Sequence, residues 1–382
     1  MKIIIFSTTY IPYIGGAEIA IREITDRISD IEFHLFTPRY SLKQTKGETI
    51  GNVIVHRFGF GLTIDKYLFA LFGGFFAKRL HGEQSFDGAW CMEANYAGFA
   101  AEQFGRMTGV NYLLSLQQGD PLERIEAKGK KLHKRFVNIF RNATVIQSIS
   151  SYLREWGQRQ GFRGESVIIP NGVDIGRFTR VFTPEERMAI RMPFGFPENA
   201  VVMVTASRLV RKNAIGDVIE AMPAMDERVC FVICGEGILG SVIRARVSEL
   251  GLESRVRFVG EVSHDELPKI LKSCDMFIRP SLSEGLGNAF IEAMAAELIT
   301  IGTPVGGIVD FLADGVNGFL VEPRRPESIA RQIERIMSLS DEEKKRITKN
   351  GRSTVEQGFD WNRIAVDMHG LFEKTCNTKH LV

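Results

Sequence analysis

Short runs that are apolar at nearly every position recur along this chain, and they limit its fold more than any other feature. Val201-Val202-Met203-Val204 is one such run. A strand wet on one face alternates apolar with polar residues. A strand that is apolar throughout must be covered on both faces, which is the situation of parallel strands flanked by helices. Strands are predicted at 2–6, 32–37, 53–58, 88–91, 110–116, 144–148 and 166–169 in the front half. The back half repeats the style at 201–206, 229–234, 255–259, 275–279, 298–302 and 318–321. Helical patterns lie between many of them, for example over 17–29, with Ile21, Ile24 and Ile28 on one face. This alternation predicts a doubly wound α/β fold. A chain of 382 residues exceeds one ordinary core and suits two such domains. The join is expected near 175–197, which holds Gly176, Pro184, Pro193, Gly195 and Pro197.

Ligands of open α/β sheets bind beyond the carboxyl ends of the strands. Two such edges facing each other would place the site in a cleft between the domains. The segment 279–292 is the most informative of these strand ends. A glycine-rich loop with Glu284, Gly285, Leu286 and Gly287 leads into a helix opening at Asn288, and Glu292 lies eight residues after Glu284. Glycines admit close backbone approach, and the free N–H groups of a helix start favour an anion such as phosphate. Carboxylates on either side can hold hydroxyl groups. Phosphate flanked by hydroxyls describes a sugar nucleotide. Either glutamate alone reads more simply as a surface residue; the combination with Gly285 and Gly287 at a strand end carries the functional reading.

A second strand end, 206–213, carries Arg208, Arg211 and Lys212. It is either a plain basic loop or a clamp for a diphosphate leaving group. Glycine turns follow other strands: Gly15-Gly16 before a helix, Gly235-Glu236-Gly237, Asn171-Gly172 and Gly306-Gly307. The Gly15-Gly16 turn is not GxGxxG, so the dinucleotide fingerprint is absent. So are Asp-x-Asp, the P-loop, HExxH and GxSxG. The seven histidines are scattered without metal-ligand spacing, and no metal site is expected.

Five cysteines form no disulfide or zinc framework. Cys230 and Cys234 in one strand would lie ~13 Å apart, beyond disulfide reach. A reducing cytoplasm is the simple reading. The apolar N-terminus is too short for a signal segment and reads as a first strand. No stretch reaches the ~20 apolar residues of a membrane span. Residues 1–180 hold 23 Lys and Arg against 17 Asp and Glu, a charge of +6; the remainder holds 25 against 29, or −4. The two halves are therefore expected to meet different partners.

Together these segments resemble the GT-B glycosyltransferases, specifically retaining family 4. The resemblance covers almost the whole chain and is strongest over 201–327. There the chain carries Ser-Arg-Leu-Val-x-Lys, Gly-Glu-Gly, Phe-Val-Gly-Glu-Val, Pro-Ser-x-x-Glu-Gly-x-Gly-x-x-x-x-Glu-Ala-Met-Ala and Asn-Gly-Phe-Leu-Val. It implies two Rossmann-like domains facing across a cleft: 1–178 on the acceptor side, with a last helix over 359–377 packing back on it, and 179–358 binding the donor. It implies that Arg208 and Lys212 hold the donor diphosphate and Glu284 the donor sugar. Backbone N–H groups around Leu286, Gly287 and Asn288 would meet phosphate, and Glu292 the ribose hydroxyls. Gly15 and Gly16 would border the donor from the front domain, the loop 258–262, ending at Val262, would border its base, and Glu236 would also line the donor site. The donor would be a nucleotide-diphosphate sugar, with no metal or other cofactor, and transfer would retain anomeric configuration. The acceptor would be a glycan or a lipid-linked molecule of cell-surface polysaccharide or glycolipid synthesis.

The chain departs from the family in three places. Gln117 and Gln118 stand after the 110–116 strand where many relatives carry a histidine. Glutamine cannot titrate near neutral pH, so either no base is needed there or Asp120 takes part. Asp310 replaces a usual glutamate and Ala214 a frequent glycine. Sugar-nucleotide 2-epimerases share the architecture and form the alternative reading. A binding protein with a degenerate site is a third, against which the intact Arg208, Lys212, Glu284 and Glu292 argue.

Two front-half stretches suggest a membrane surface. Residues 58–80 hold Phe58, Phe60, Tyr67, Phe69, Phe72, Phe75 and Phe76 with Lys66, Lys78 and Arg79. Residues 124–141 hold seven Lys and Arg, including Lys128, Lys130 and Lys131, against one acid. Such segments read either as core and solvated helices or as elements that rest on anionic lipid. The second reading predicts an enzyme peripheral to the inner face of the cytoplasmic membrane. No nucleic-acid motif accompanies the basic run.

Overall fold

Strands of the computed structural model, which describes residues 1–13, 15–129 and 133–378, gather into two sheets. Lys130, Lys131 and the side chain of Lys128 lie outside the described residues. The chain divides into two compact units. The first is Met1–Asn171 together with the segment from Trp361 onward; the second is Gly172–Asp360.

The first unit holds β1 (Lys2–Phe6), β2 (Glu32–Pro38), β3 (Gly47–Ile50), β4 (Val53–Phe58), β5 (Gly88–Met92), β6 (Tyr112–Leu116), β7 (Val145–Ser148) and β8 (Glu165–Ile168). Their spatial order is β3-β4-β2-β1-β5-β6-β7-β8. Its helices are α1 (Gly16–Thr25), α2 (Asp65–Gln84), α3 (Tyr96–Thr108), α4 (Leu122–Gly129), α5 (His133–Arg141) and α6 (Ser151–Arg159). All pairings are parallel except β3 with β4, a hairpin across Gly51 and Asn52. That edge strand was not expected from sequence. Gly47, Glu48 and Thr49 are exposed and carry no apolar run to announce a strand.

The second unit holds α7 (Pro184–Arg191), β9 (Val201–Ala206), α8 (Ile215–Ala221), β10 (Val229–Cys234), α9 (Gly240–Glu249), β11 (Val256–Gly260), α10 (Leu267–Ser273), β12 (Met276–Ile278), α11 (Asn288–Ala295), β13 (Ile299–Gly302), β14 (Phe319–Leu320), α12 (Pro326–Met337) and α13 (Asp341–Gly358). Its parallel sheet runs β11-β10-β9-β12-β13-β14. Met203, Phe231, Ile233, Ile278 and Ile301 bury one face against α8, α9 and α12 through Val218, Ile243 and Ile333. The remaining helix, α14 (Trp361–Asn377), belongs to the first unit. Its Trp361, Ile364, Met368 and Phe372 join Ile3, Ile5, Phe33 and Trp90 in the front core. The Phe372 ring lies 5.1 Å from Trp90 and 5.8 Å from Phe33.

The strand orders fix where ligands fit. Chain direction across the sheet reverses between β1 and β5 in the first unit and between β9 and β12 in the second. At such a point the loops leaving adjacent strands turn opposite ways and leave a crevice beyond the carboxyl ends. The basic segment 207–213 leaves β9, and the glycine-rich segment 279–287 leaves β12. The two most distinctive motifs of the sequence therefore share one crevice mouth.

Candidate active site

The two loops of the second unit are joined directly. The Leu282 N–H donates to the Lys212 carbonyl at 2.6 Å. Inside the basic loop, Asn213 is buried and its Nδ2 donates to the Arg208 carbonyl at 2.7 Å, which curls the loop. The Arg208 side chain stays exposed, and Lys212 is half-buried. Ala214 closes the loop in the left-handed region, at φ 50°. A side chain there crowds its own carbonyl, so the glycine frequent in relatives has a conformational reason.

Glu284 is buried, and its carboxylate is held from two sides. Arg279 Nη2 lies 2.8 Å from its Oε1, and the Ser281 hydroxyl donates to the same oxygen at 3.0 Å. Arg279 is itself buried at the end of β12, with its guanidinium 4.7 Å from the centre of the Phe290 ring. Gly306 packs against this loop so closely that a Cβ there would collide with the Glu284 carbonyl oxygen. Gly287, at φ 101°, caps α11; a Cβ would come within 2.7 Å of Phe290. The loop is thus rigid. An ion-paired carboxylate keeps further lone pairs, so Glu284 can still accept from a sugar hydroxyl.

Glu292 lies inside α11 and is half-buried. Burial pushes its carboxyl up to about 7, against the lowering pull of Arg279 and then Arg177. Arg177 holds Asp174 and Asp265 at 3.2 and 3.4 Å. Leu286 is buried and Asn288 half-buried at the helix start. Glu236 is exposed at the end of β10, with Arg244 Nη2 3.3 Å from its Oε1. The Arg244 guanidinium lies 3.9 Å above the Phe258 ring. Val262 follows β11 and is half-buried.

In the first unit, Gly15 and Gly16 are exposed beyond β1, where Gly15 caps α1 and its carbonyl accepts from the Ile19 N–H at 3.1 Å. Buried Glu18 accepts from the Thr9 hydroxyl. Gln117 is buried with its Oε1 accepting from Asn171 Nδ2 at 3.1 Å, so its carbonyl end serves the fold. Neighbouring Gln118 is buried with both amide atoms unpartnered. Asp120 is exposed.

Sequence reasoning gave no role to Arg279, Glu93 or Asn95. Glu93 leaves β5 at φ 68°, and its Oε2 accepts from Asn95 Nδ2 at 2.8 Å. Asn95 Oδ1 accepts from the Thr8 hydroxyl at 2.7 Å, bridging the ends of β1 and β5. Backbone strain at a non-glycine residue has no sequence signature. Arg279 had one: a cation ending an apolar strand must find a buried partner. Among the described residues, no group of His, Cys, Asp and Glu is placed to hold a metal ion.

In chemical terms, the second unit brings an exposed guanidinium, an ammonium of the same loop and a helix start to one crevice mouth, a combination suited to an anion, with the carboxylates of Glu284 and Glu292 on the loop and helix that follow β12.

Two α/β units with these sheets define the GT-B fold, and comparison with known proteins agrees. Residues 186–354 match the family model described as glycosyl transferases group 1. An uncharacterised glycosyltransferase of Methanocaldococcus jannaschii is 26% identical over 98% of both chains. The putative teichuronic acid biosynthesis glycosyltransferase TuaC of Bacillus subtilis is 25% identical, covering 74% of this chain and 69% of its own. Among solved structures, Anabaena HepE in complex with UDP and glucose superimposes with a TM-score of 0.80 at 19% identity, over 98% of this chain and 100% of its own. These findings give the whole chain the fold of GT-B proteins and liken its residues 186–354 to the glycosyl transferases group 1.

Proposed function

We propose that this chain transfers a sugar from a nucleotide-diphosphate sugar to a glycan or lipid-linked acceptor. The observation that carries the reading is the bond between Leu282 and Lys212, which pins the cationic loop to the loop holding Glu284. The second unit takes the donor. Arg208 and Lys212 hold the diphosphate and stabilise the charge that grows on it as it leaves. Glu284, fixed by Arg279 and Ser281, orients the donor sugar; Glu292 receives the ribose diol. Gly15 and Gly16, beyond β1, belong to the first unit, which receives the acceptor. Gln117 and Asp120 lie on that acceptor side.

The reaction is read as retaining and independent of metal. Both properties rest on the resemblance of the 201–327 motifs to family 4. The leaving diphosphate would itself assist the incoming hydroxyl. A role in cell-surface polysaccharide or glycolipid synthesis, on the inner face of the cytoplasmic membrane, is supported by the similarity to the teichuronic acid glycosyltransferase TuaC and by the exposed apolar face of α2. Transfer is favoured over epimerisation because the similar proteins are glycosyltransferases.

A thermal-shift panel of nucleotide-diphosphate sugars tests the donor. A specific donor at a hundredfold excess over Kd stabilises by ~2.7 kcal/mol. Failure of every nucleotide diphosphate to stabilise the protein would refute the reading. Product analysis with the stabilising donor then separates transfer from epimerisation, because an epimerase turns over without acceptor.

A further inference from the structure

The outward face of α2 is apolar where a surface helix is ordinarily polar. Its inward face, with Phe69, Gly73, Gly74 and Ala77, is buried. A Cβ at Gly73 would meet Ala100 Cβ at 2.9 Å, and one at Gly74 would meet the Phe104 nitrogen at 2.7 Å. The helix therefore lies backbone-close on α3 and cannot turn that face outward. The opposite stripe, at three- and four-residue spacing, is Leu71, Phe72, Phe75 and Phe76. All four are exposed, Phe72 by 51% and Phe75 by 62%.

The preceding loop extends this surface. Phe60 is 69% exposed, with Leu62 and Ile64 exposed beside it. The loop is firmly held. The buried Asp65 carboxylate accepts from the N–H groups of Phe60, Gly61 and Leu62 at 2.7, 2.7 and 3.1 Å. One ordered surface thus presents seven large apolar side chains to water, an arrangement that in soluble proteins marks an interaction site.

Charge identifies the occupant. Lys66 stands at one end of the apolar stripe and Lys78 and Arg79 at the other. Asp65 faces inward, leaving Glu83, 3.9 Å from Arg79, as the acid on the outer side. A second copy of the chain, in either orientation, would set cations against cations. An anionic lipid surface would take the rings among its acyl chains and the cations at its phosphates. Among the described residues, no helix is long and apolar enough to cross a membrane. A helix of 20 residues, about 30 Å long, can lie flat on one.

We propose that the outer face of α2 and the loop before it seat the first unit on an anionic bilayer. The inference deepens the proposed function, since a lipid-linked acceptor would then be met at the bilayer surface. Its measurement does not depend on that reading. The full chain is mixed with vesicles of phosphatidylcholine, alone or with phosphatidylglycerol, and separated by flotation. The wild type is expected to float with the anionic vesicles. The variant Phe72→Ser/Phe75→Ser should need at least about tenfold more lipid, because it forfeits two inserted rings. Lys78→Glu/Arg79→Glu should lose the preference for anionic lipid. Both variants alter exposed side chains, so their melting temperatures and nucleotide-induced thermal shifts should match the wild type. Wild-type protein that ignores anionic vesicles would overturn the proposal, as would a serine variant that binds them equally well. A dimer in sedimentation equilibrium that the serine variant dissolves would assign the face to a second copy instead.

Discussion

At the scale of single residues, the decisive fact is that Glu284 is ion-paired inside the fold. Removing one partner of a buried pair leaves the other charge unsatisfied, at a cost of about 3–5 kcal/mol. Arg279→Met should therefore destabilise the second unit by that order in chemical denaturation, and adding Glu284→Gln should recover part of the loss. Glu284→Gln alone keeps an oxygen for Arg279 and Ser281 but removes the counter-charge of the guanidinium, so it should still fold while losing part of that ~3–5 kcal/mol. Its transfer rate should fall at least about a hundredfold, as when a preorganised polar contact is removed. Near-normal turnover would remove Glu284 from the donor-sugar site. Ala214 offers the opposite kind of test. Its left-handed backbone costs about 1 kcal/mol, partly offset by the rigidity alanine gives the unfolded chain. Ala214→Gly should leave stability unchanged or raise it by up to about 1 kcal/mol, whereas glycine at an ordinary helical position lowers it. A clear loss on denaturation would show that the alanine methyl packs for a purpose.

At the scale of elements, α11 carries a pH dependence. The folded Glu292 carboxyl sits at about 7, above its ordinary 4.5. Between those values the folded state binds the proton that the unfolded chain has already released. Raising the pH through this window therefore lowers stability, and the loss is complete above about pH 7. Partial access of water to the side chain limits the effect to about 1–2 kcal/mol. Glu292→Gln cannot ionise, so its melting temperature should gain on the wild type from pH 5 to pH 8, by about 2–6 °C. Parallel pH profiles for the two proteins would show that Glu292 does not titrate there. The elements also show what the sequence made legible. Strands such as β9 and β10 were visible because burial on both faces writes an unbroken apolar run. The hairpin strand β3 was not, because exposed Glu48 and Thr49 leave no hydrophobic signal. Helix α2 was ambiguous for a different reason: with Phe69 inward and Phe72 and Phe75 outward, apolar residues on both faces cancel the periodicity that distinguishes core from surface. That Arg279 needs a buried partner was legible, but that the partner is Glu284 was not, because the pairing depends on the curl of the loop between them.

At the scale of the whole molecule, the chain leaves its first unit at Asn171 and returns to it at Trp361. The first unit is thus completed by residues far from the rest of it in sequence. Phe372 is almost wholly buried between Phe33 and Trp90, and Asn111 Nδ2 donates to the Thr375 carbonyl at 2.9 Å, fastening the end of α14 beside β6. Removing the Phe372 ring opens a cavity worth about 3–5 kcal/mol in the first unit alone, since its contacts are with β2 and β5. Hydrogen exchange read by peptide can resolve this. In Phe372→Ala, protection should fall in α14 and in β1, β2 and β5, while β9 to β13 keep wild-type protection. A nucleotide that binds the second unit should then raise protection there to the same extent in variant and wild type, because the altered side chain lies in the core of the first unit. Equal loss of protection across both sheets would mean that the chain opens as one cooperative body, and the division of labour proposed for the two units would have to be given up.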